Sequence, residues 1–119
     1  MSDYRFTMPY PPSVNGYWKP LINRIILSKR GREYRLNALE SLRKQGLQGE
    51  LIEGSVVVSI TLNPPSKRRY DVDNYCKGIL DALTHANFWL DDEQVHKLII
   101  SKGGKVKGGN VDITVAVLD

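Results

Sequence analysis

Cysteine is nearly absent from this 119-residue chain. A single thiol, Cys76, cannot form an internal disulfide, which excludes a disulfide-stapled scaffold and predicts a reducing compartment. Long apolar runs are missing too, and none reaches the roughly 20 residues of a bilayer-spanning helix. The opening MSDYRFTMPYPPS lacks a basic head followed by an apolar segment, so no secretory signal is expected. His85 and His96 have no zinc-ligand spacing with each other or with Cys76, and read as ordinary helix and strand residues. Repeats, linkers and low-complexity tracts are lacking. These absences predict a soluble, cytoplasmic protein with no membrane partner, one domain over residues 1–119. Its 41% hydrophobic content suffices for one small core, which a second copy of the chain would enlarge.

Charge, by contrast, is plentiful and unevenly placed. The chain carries 17 Lys and Arg against 13 Asp and Glu, a net of +4. From Met1 to Arg35, seven cations face two acids; from Asp71 to Glu93, six acids face Lys77 alone. A basic body around an acidic island suits a protein that binds a polyanion and holds a cation beside it. The bland alternative is a solvated surface of mixed sign. The contrast is sharpest in KRRYDVDNYCKG, residues 67–78, where three cations lead straight into Asp71 and Asp73. Two carboxylates one residue apart repel unless a helix N-terminus, a flanking cation or a metal ion neutralises them.

The apolar periodicity sets the frame. Tyr4, Phe6 and Met8 alternate with Arg5 and Thr7, as in a half-buried strand. PYPPSVNGYW reads as a loop and RIILS as a short strand. Ser28 is placed to cap a helix through KRGREYRLNALESLRKQ, with Tyr34, Ala38, Leu39 and Leu42 on its apolar face and Gly46 at its stop. Val56, Val58, Ile60 and Leu62 predict a further strand, ended by Pro64-Pro65. A second helix is expected from Asp73 to about Ala86, apolar on Ile79, Leu80 and Leu83, with Asn87 just past its end. VHKLIIS and VDITVAVL complete the strands, with KGGKVKGGN joining them as a basic hairpin loop. Helices interspersed among strands argue for an α/β (α+β) sandwich. It is a small mixed β-sheet with two main helices packed on it, in the order β-(β)-α-β-α-β-β.

Asp73 as the cap of the second helix would account for one carboxylate, and the positive helix end favours Asp71 nearby. Lys77 and Asp81 follow at four-residue steps and predict an exposed ion-pair ladder, stabilising by about 0.2–0.5 kcal/mol per pair. A second acidic cluster, Asp91-Asp92-Glu93, falls in the turn beyond that helix. The helix is about 20 Å long at ~1.5 Å per residue. Asp92 therefore reaches the first pair only if NFWLDDEQ returns along it. Three carboxylates so gathered form a hard, oxygen-only site suited to Mg²⁺ or Mn²⁺.

Other Asp-x-Asp chemistries fit less well. An EF-hand loop is excluded by Tyr75 and Cys76 at its fifth and sixth positions. An aspartyl phosphotransferase needs an apolar strand before the pair, which SKRRY is not. A sugar-nucleotide enzyme finds little room for its nucleotide domain. Phosphodiester hydrolysis suits the set: a divalent ion, a cation such as Lys77 near the phosphate, and basic walls along the backbone. On these residues alone a non-catalytic DNA-binding module remains open, with the aspartates as caps and solvated charges.

RRYDVDNYCKGILDAL followed by NFWLDDEQV resembles the signature of the RusA-type Holliday-junction resolvases, small endonucleases of bacteria, phages and prophages. MPYPPSVNGYW resembles that family's opening strand and Pro-Pro-Ser-x-Asn loop, so the likeness covers nearly the whole chain in order and length. One departure is Asn87, where the family pattern leads one to expect glycine; asparagine tolerates the same left-handed backbone. The resemblance implies a RusA-like fold and a homodimer that cuts two opposed strands of a four-way junction with Mg²⁺, for which Mn²⁺ substitutes. It implies that Asp71, Asp73 and Asp92 hold the metal, that Lys77 is the functional lysine, and that Asp91 is a neighbouring, less central acid. A two-fold dimer presents two identical sites to two equivalent phosphodiesters.

Branched DNA as substrate gives the cations a role. Lys67, Arg68 and Arg69 are expected on the DNA backbone. Arg30, Arg32 and Arg35 at the start of the first helix oppose its macrodipole, which favours phosphate contact over a merely solvated face. Lys102, Lys105 and Lys107 lie on a segment whose glycines let its backbone approach a phosphate. Asn15 matches a family loop position near the site or a phosphate. Tyr17 and Trp18 are candidates for stacking on an unpaired base, with at least one expected to pack against the sheet, and Tyr70 suits either role.

Overall fold

In the computed structural model the described residues run from 3 to 118; residues 1, 2 and 119 lie outside them. The strands are β1 (Asp3–Pro9), β2 (Trp18–Leu21), β3 (Arg24–Leu27), β4 (Val56–Asn63), β5 (Val95–Lys102) and β6 (Asn110–Val117). The helices are α1 (Val14–Tyr17), α2 (Lys29–Lys44) and α3 (Asp73–His85), with a 3-10 turn at Asp92–Gln94. The main sheet has the order β1-β6-β4-β5. β6 runs antiparallel to both β1 and β4, and β4 runs parallel to β5.

The alternation legible in the sequence becomes the core. Register places Phe6 opposite Ile113 and Ile113 opposite Ile60, while Met8, Val111 and Leu62 form the next row. All six are buried, together with Val56, Val58 and Val115. Tyr34, Ala38 and Leu42 of α2 and Ile79, Leu80 and Leu83 of α3 complete the same core. Each large apolar side chain so buried contributes about 1.5–3 kcal/mol.

Both helix ends follow the local chemistry. The Ser28 hydroxyl accepts from Gly31 N–H at 3.0 Å and starts α2. Gly46 ends it at φ 74°, with Leu47 N–H on Leu42 C=O and Gly46 N–H on Arg43 C=O. α3 stops the same way at Asn87, φ 58°, with Phe88 N–H on Leu83 C=O and Asn87 N–H on Thr84 C=O. That turn drives Phe88 and Trp89 fully into the core.

Two expectations are corrected. The last two strands are not a hairpin: β4 lies between β5 and β6. The α3 crossover lays β5 parallel to β4, since a strand returning through a helix enters in the same direction. KGGKVKGGN therefore bridges over the end of β4, with Gly103 N–H on Leu62 C=O at 2.7 Å and Val106 N–H on Pro64 C=O at 3.0 Å. The stretch read as one loop before RIILS also holds structure. The one-turn α1 lies within it, and β2, which starts at its last residue, Trp18, pairs with β3 as a separate two-stranded ribbon. Pro20 within β2 hid it, because a proline is tolerated only on such a short edge.

Candidate active site

α3 begins after Val72, whose backbone is already helical at φ −59°, ψ −34°, so the Asp71 carbonyl accepts Asn74 N–H at 3.1 Å. The cap position is Val72. Asp73 is instead the first helical residue, which corrects the capping expectation. Its charge still lies at the favourable end of the helix dipole. Asp71 and Asp73 are both exposed.

The second acidic cluster does return to α3. After Asn87, the backbone runs beside 49–52, with Leu51 N–H on Asn87 C=O and Ile52 N–H on Phe88 C=O, and a parallel bridge joins Ile52 to Trp89. Gln94, which sequence reasoning passed over, clamps the turn. Its Oε1 accepts from Leu90 and Asp91 N–H at 2.9 and 2.8 Å, and its Nε2 donates to the carbonyls of Ile52 and Gly54. Asp91 caps the same turn, its carboxylate accepting Glu93 N–H at 3.0 Å. The available signal was Asp91 with Gln94 three residues on, the spacing of a capping box. The clamped turn sets Asp92 against α3, where Lys77 Nζ donates to its Oδ2 at 3.3 Å. Among the described residues, no three His, Cys, Asp or Glu side chains are gathered closely enough to hold a metal ion. The fold thus brings Asp92 to Lys77, one helical turn from Asp73, without drawing the carboxylates into one cluster.

The predicted Lys77–Asp81 ladder is absent. Asp81 faces inward, where Arg35 Nε and Nη2 grip its two oxygens at 2.8 and 2.9 Å and the Tyr17 hydroxyl donates a short hydrogen bond to Oδ2. Burial alone would raise the Asp81 carboxyl, but these donors outweigh it and hold the pKa below its ordinary value. Burial and the Asp81 carboxylate push the Tyr17 hydroxyl strongly upward. Arg35, expected among the phosphate-contacting arginines, is therefore committed to Asp81. Tyr17, a stacking candidate, is fully buried, and its ring leaves no space for a side chain at Gly78.

The other cations divide by place. Lys67, Arg68, Arg69, Lys102 and Lys105 line one pocket of about 430 Å³ beside Tyr70, and the Lys102 ammonium sits 4.6 Å from the Tyr70 ring centroid. Arg68 and Arg69 also line a second pocket of about 430 Å³, together with Arg30. Arg32 donates to the Leu27 carbonyl at 3.1 Å and remains exposed, as does Lys107, which lines neither pocket. Asn15 belongs elsewhere, in an apolar groove with Val14, Trp18, Pro20 and Ile25.

Comparison with known proteins gives this arrangement its context. A family model described as endodeoxyribonuclease RusA matches residues 9–117. The chain is 35% identical over 119 residues to the crossover junction endodeoxyribonuclease of Enterobacteria phage HK97, covering 100% of this chain and 98% of that relative. It is 37% identical over 115 residues to the corresponding proteins of Shigella sonnei and Escherichia coli K12, covering 97% of this chain and 95% of each.

Proposed function

The chain belongs to the RusA family of endodeoxyribonucleases, and from that premise we propose how its own residues divide the work on DNA. It is a crossover junction endodeoxyribonuclease, hydrolysing phosphodiesters at Holliday junctions in recombination and repair. Asp71, Asp73 and Asp92 are the metal ligands of this reading, which requires an ion to draw them together from the separate positions they hold here. Their chemistry fits a hard divalent cation: all are carboxylates, two exposed and one half-buried. Mg²⁺ is the proposed ion, with Mn²⁺ able to substitute. When bound, such an ion supplies charge neutralisation at the phosphate and an activated water.

The protein's own groups do the rest. Lys77 offers a mobile ammonium to the phosphate oxygens as negative charge builds there. Arg30, Lys67, Arg68, Arg69, Lys102 and Lys105 hold the backbone on either side, and the counterions they displace from the DNA make binding fall with salt. Arg32, Lys107 and Asn15 are outlying contacts. Asp91 keeps the turn of Asp92 in place. A two-fold homodimer of single domains, each 1–119, presents paired sites to opposed strands. No helix among the described residues is long and apolar enough to cross a membrane. A cytoplasmic site of action is part of this reading because the substrate is DNA and the relatives are those of bacteria and their phages.

The observation that carries this reading is the Lys77–Asp92 contact, which joins the two halves of the family signature across the α3 crossover. The test is cleavage of a synthetic four-way junction, labelled on each strand, in Mg²⁺ or EDTA beside a linear duplex. Paired symmetric nicks on the junction only, absent in EDTA, support it. Tight junction binding with no nicks in Mg²⁺ or Mn²⁺ returns the aspartates to a structural role and the protein to a non-catalytic binding module.

A further inference from the structure

The pocket between the Pro-Pro-Ser loop and the KRRY segment has a chemistry that backbone binding alone does not require. Arg30, Arg68 and Arg69 supply its cations, and Tyr10, Tyr70 and Tyr75 supply its aromatic wall. The three rings form a continuous series: Tyr10 and Tyr75 have centroids 5.2 Å apart, and Tyr75 and Tyr70 5.7 Å apart in an edge-on arrangement. All three rings are half-buried, so each is held by packing yet keeps surface toward solvent. The Lys102 ammonium covers Tyr70 and fixes its ring further. A volume of about 430 Å³ is of the size that small ligands occupy. Guanidinium groups match phosphate, and aromatic rings accept any base face.

We propose that this pocket receives one unstacked nucleotide of the junction, its phosphate on the arginines and its base against the tyrosines. The position follows from the chain. Tyr70 immediately precedes Asp71, and Tyr75 lies two residues after Asp73, so two of the pocket's rings flank the candidate carboxylates along the chain. The captured nucleotide is therefore a neighbour of the scissile phosphate, and holding it fixes which phosphate meets Lys77. A junction exchange point offers such a nucleotide more cheaply than an intact duplex does, because unstacking a paired base costs a few kcal/mol. Shape selectivity then arises at this pocket as well as from the spacing of the two sites. The inference rests on the junction-cleaving reading.

The experiment is a double-mutant cycle on binding, in EDTA, with four-way junctions carrying one abasic residue at successive positions around the cut. For the native protein one position next to the cut should weaken binding about tenfold or more, the scale of one lost base stack. In Tyr70→Ala that same abasic substitution should cost little further, and Tyr70→Phe should restore the native pattern. Equal abasic penalties in native and Tyr70→Ala proteins overturn the proposal. A second measurement needs no junction. Titration with a 5′-phosphorylated dinucleotide should shift the ring NMR signals of Tyr10, Tyr70 and Tyr75 in the native protein and not in Arg69→Ala; unmoved rings overturn it. If the rings respond but junctions are neither preferred nor cut, the pocket stands and the resolvase reading falls.

Discussion

Helix α3 carries two ion pairs one turn apart, and they are opposites. Asp81 and Arg35 join α3 to α2 through two parallel hydrogen bonds, with side-chain exposures of 18% and 27%, and Tyr17 adds a third donor. Lys77 and Asp92 meet through a single contact at 3.3 Å, with exposures of 56% and 29%. The first pair is shielded, geometrically fixed and fully satisfied, as a half-buried charge must be. The second is loose and wet, and such pairs contribute little to stability. One helix thus holds a rigid brace and an exchangeable contact side by side. On the proposed reading, charges kept free for DNA and metal are not the ones that hold the fold.

The largest effect should come from the exchangeable end. Asp73→Asn should lower junction cleavage by roughly a hundredfold or more, on the order of 3 kcal/mol of barrier. Junction binding measured by gel shift should be kept or tightened, since a negative charge beside DNA is removed. Binding and cleavage falling together in a folded variant would break the division between brace and site.

At the brace, Asp81→Ala should cost about 2 kcal/mol in urea unfolding, between the values for exposed and buried pairs, because it strands the Arg35 guanidinium. The same pair should write itself into the acid limb of stability. The Asp81 carboxyl lies below its ordinary value of 3.8 in the folded state. Its contribution is complete above the ordinary carboxylate range and is lost as pH falls through the lowered folded value. Unfolding curves measured downward from pH 5 should therefore drop less steeply in Asp81→Asn than in the native protein.

The smallest effect belongs to the loose pair. Lys77→Gln should change unfolding free energy by less than about 1 kcal/mol while reducing cleavage. A stability loss comparable to that of Asp81→Ala would erase the contrast between the two.

Much of this frame was legible because it rests on periodicity. β4 and β6 alternate cleanly, α2 shows Tyr34, Ala38 and Leu42 at helical spacing, and Gly46 and Asn87 are the residues that tolerate positive φ. The carboxylates and lysine of the signature were legible as a motif. The partner of Asp81 was not. Four-residue spacing offers Lys77 and Arg35 lies 46 residues away, and only the packing of α2 on α3 decides between them. The same limit hid the strand order, since β5 and β6 look alike as hairpin partners until the α3 crossover fixes the direction of β5. The clamp at Gln94 was visible as a local spacing, yet its hold on Ile52 and Gly54 is a long-range contact no local pattern reports.

The place of β6 has a consequence for how the protein is made. It sits between β1 and β4 and, among the described residues, is the only strand that joins them. A growing chain that has reached Gly109 already contains the α3 crossover and both acidic clusters, but its first strand has no neighbour to pair with. Until β6 is made, the edges of β1 and β4 that it joins stay unpaired. Residues 110–117 close the sheet in one step, so a chain truncated before Asn110 should be a substrate for proteases rather than a partial enzyme.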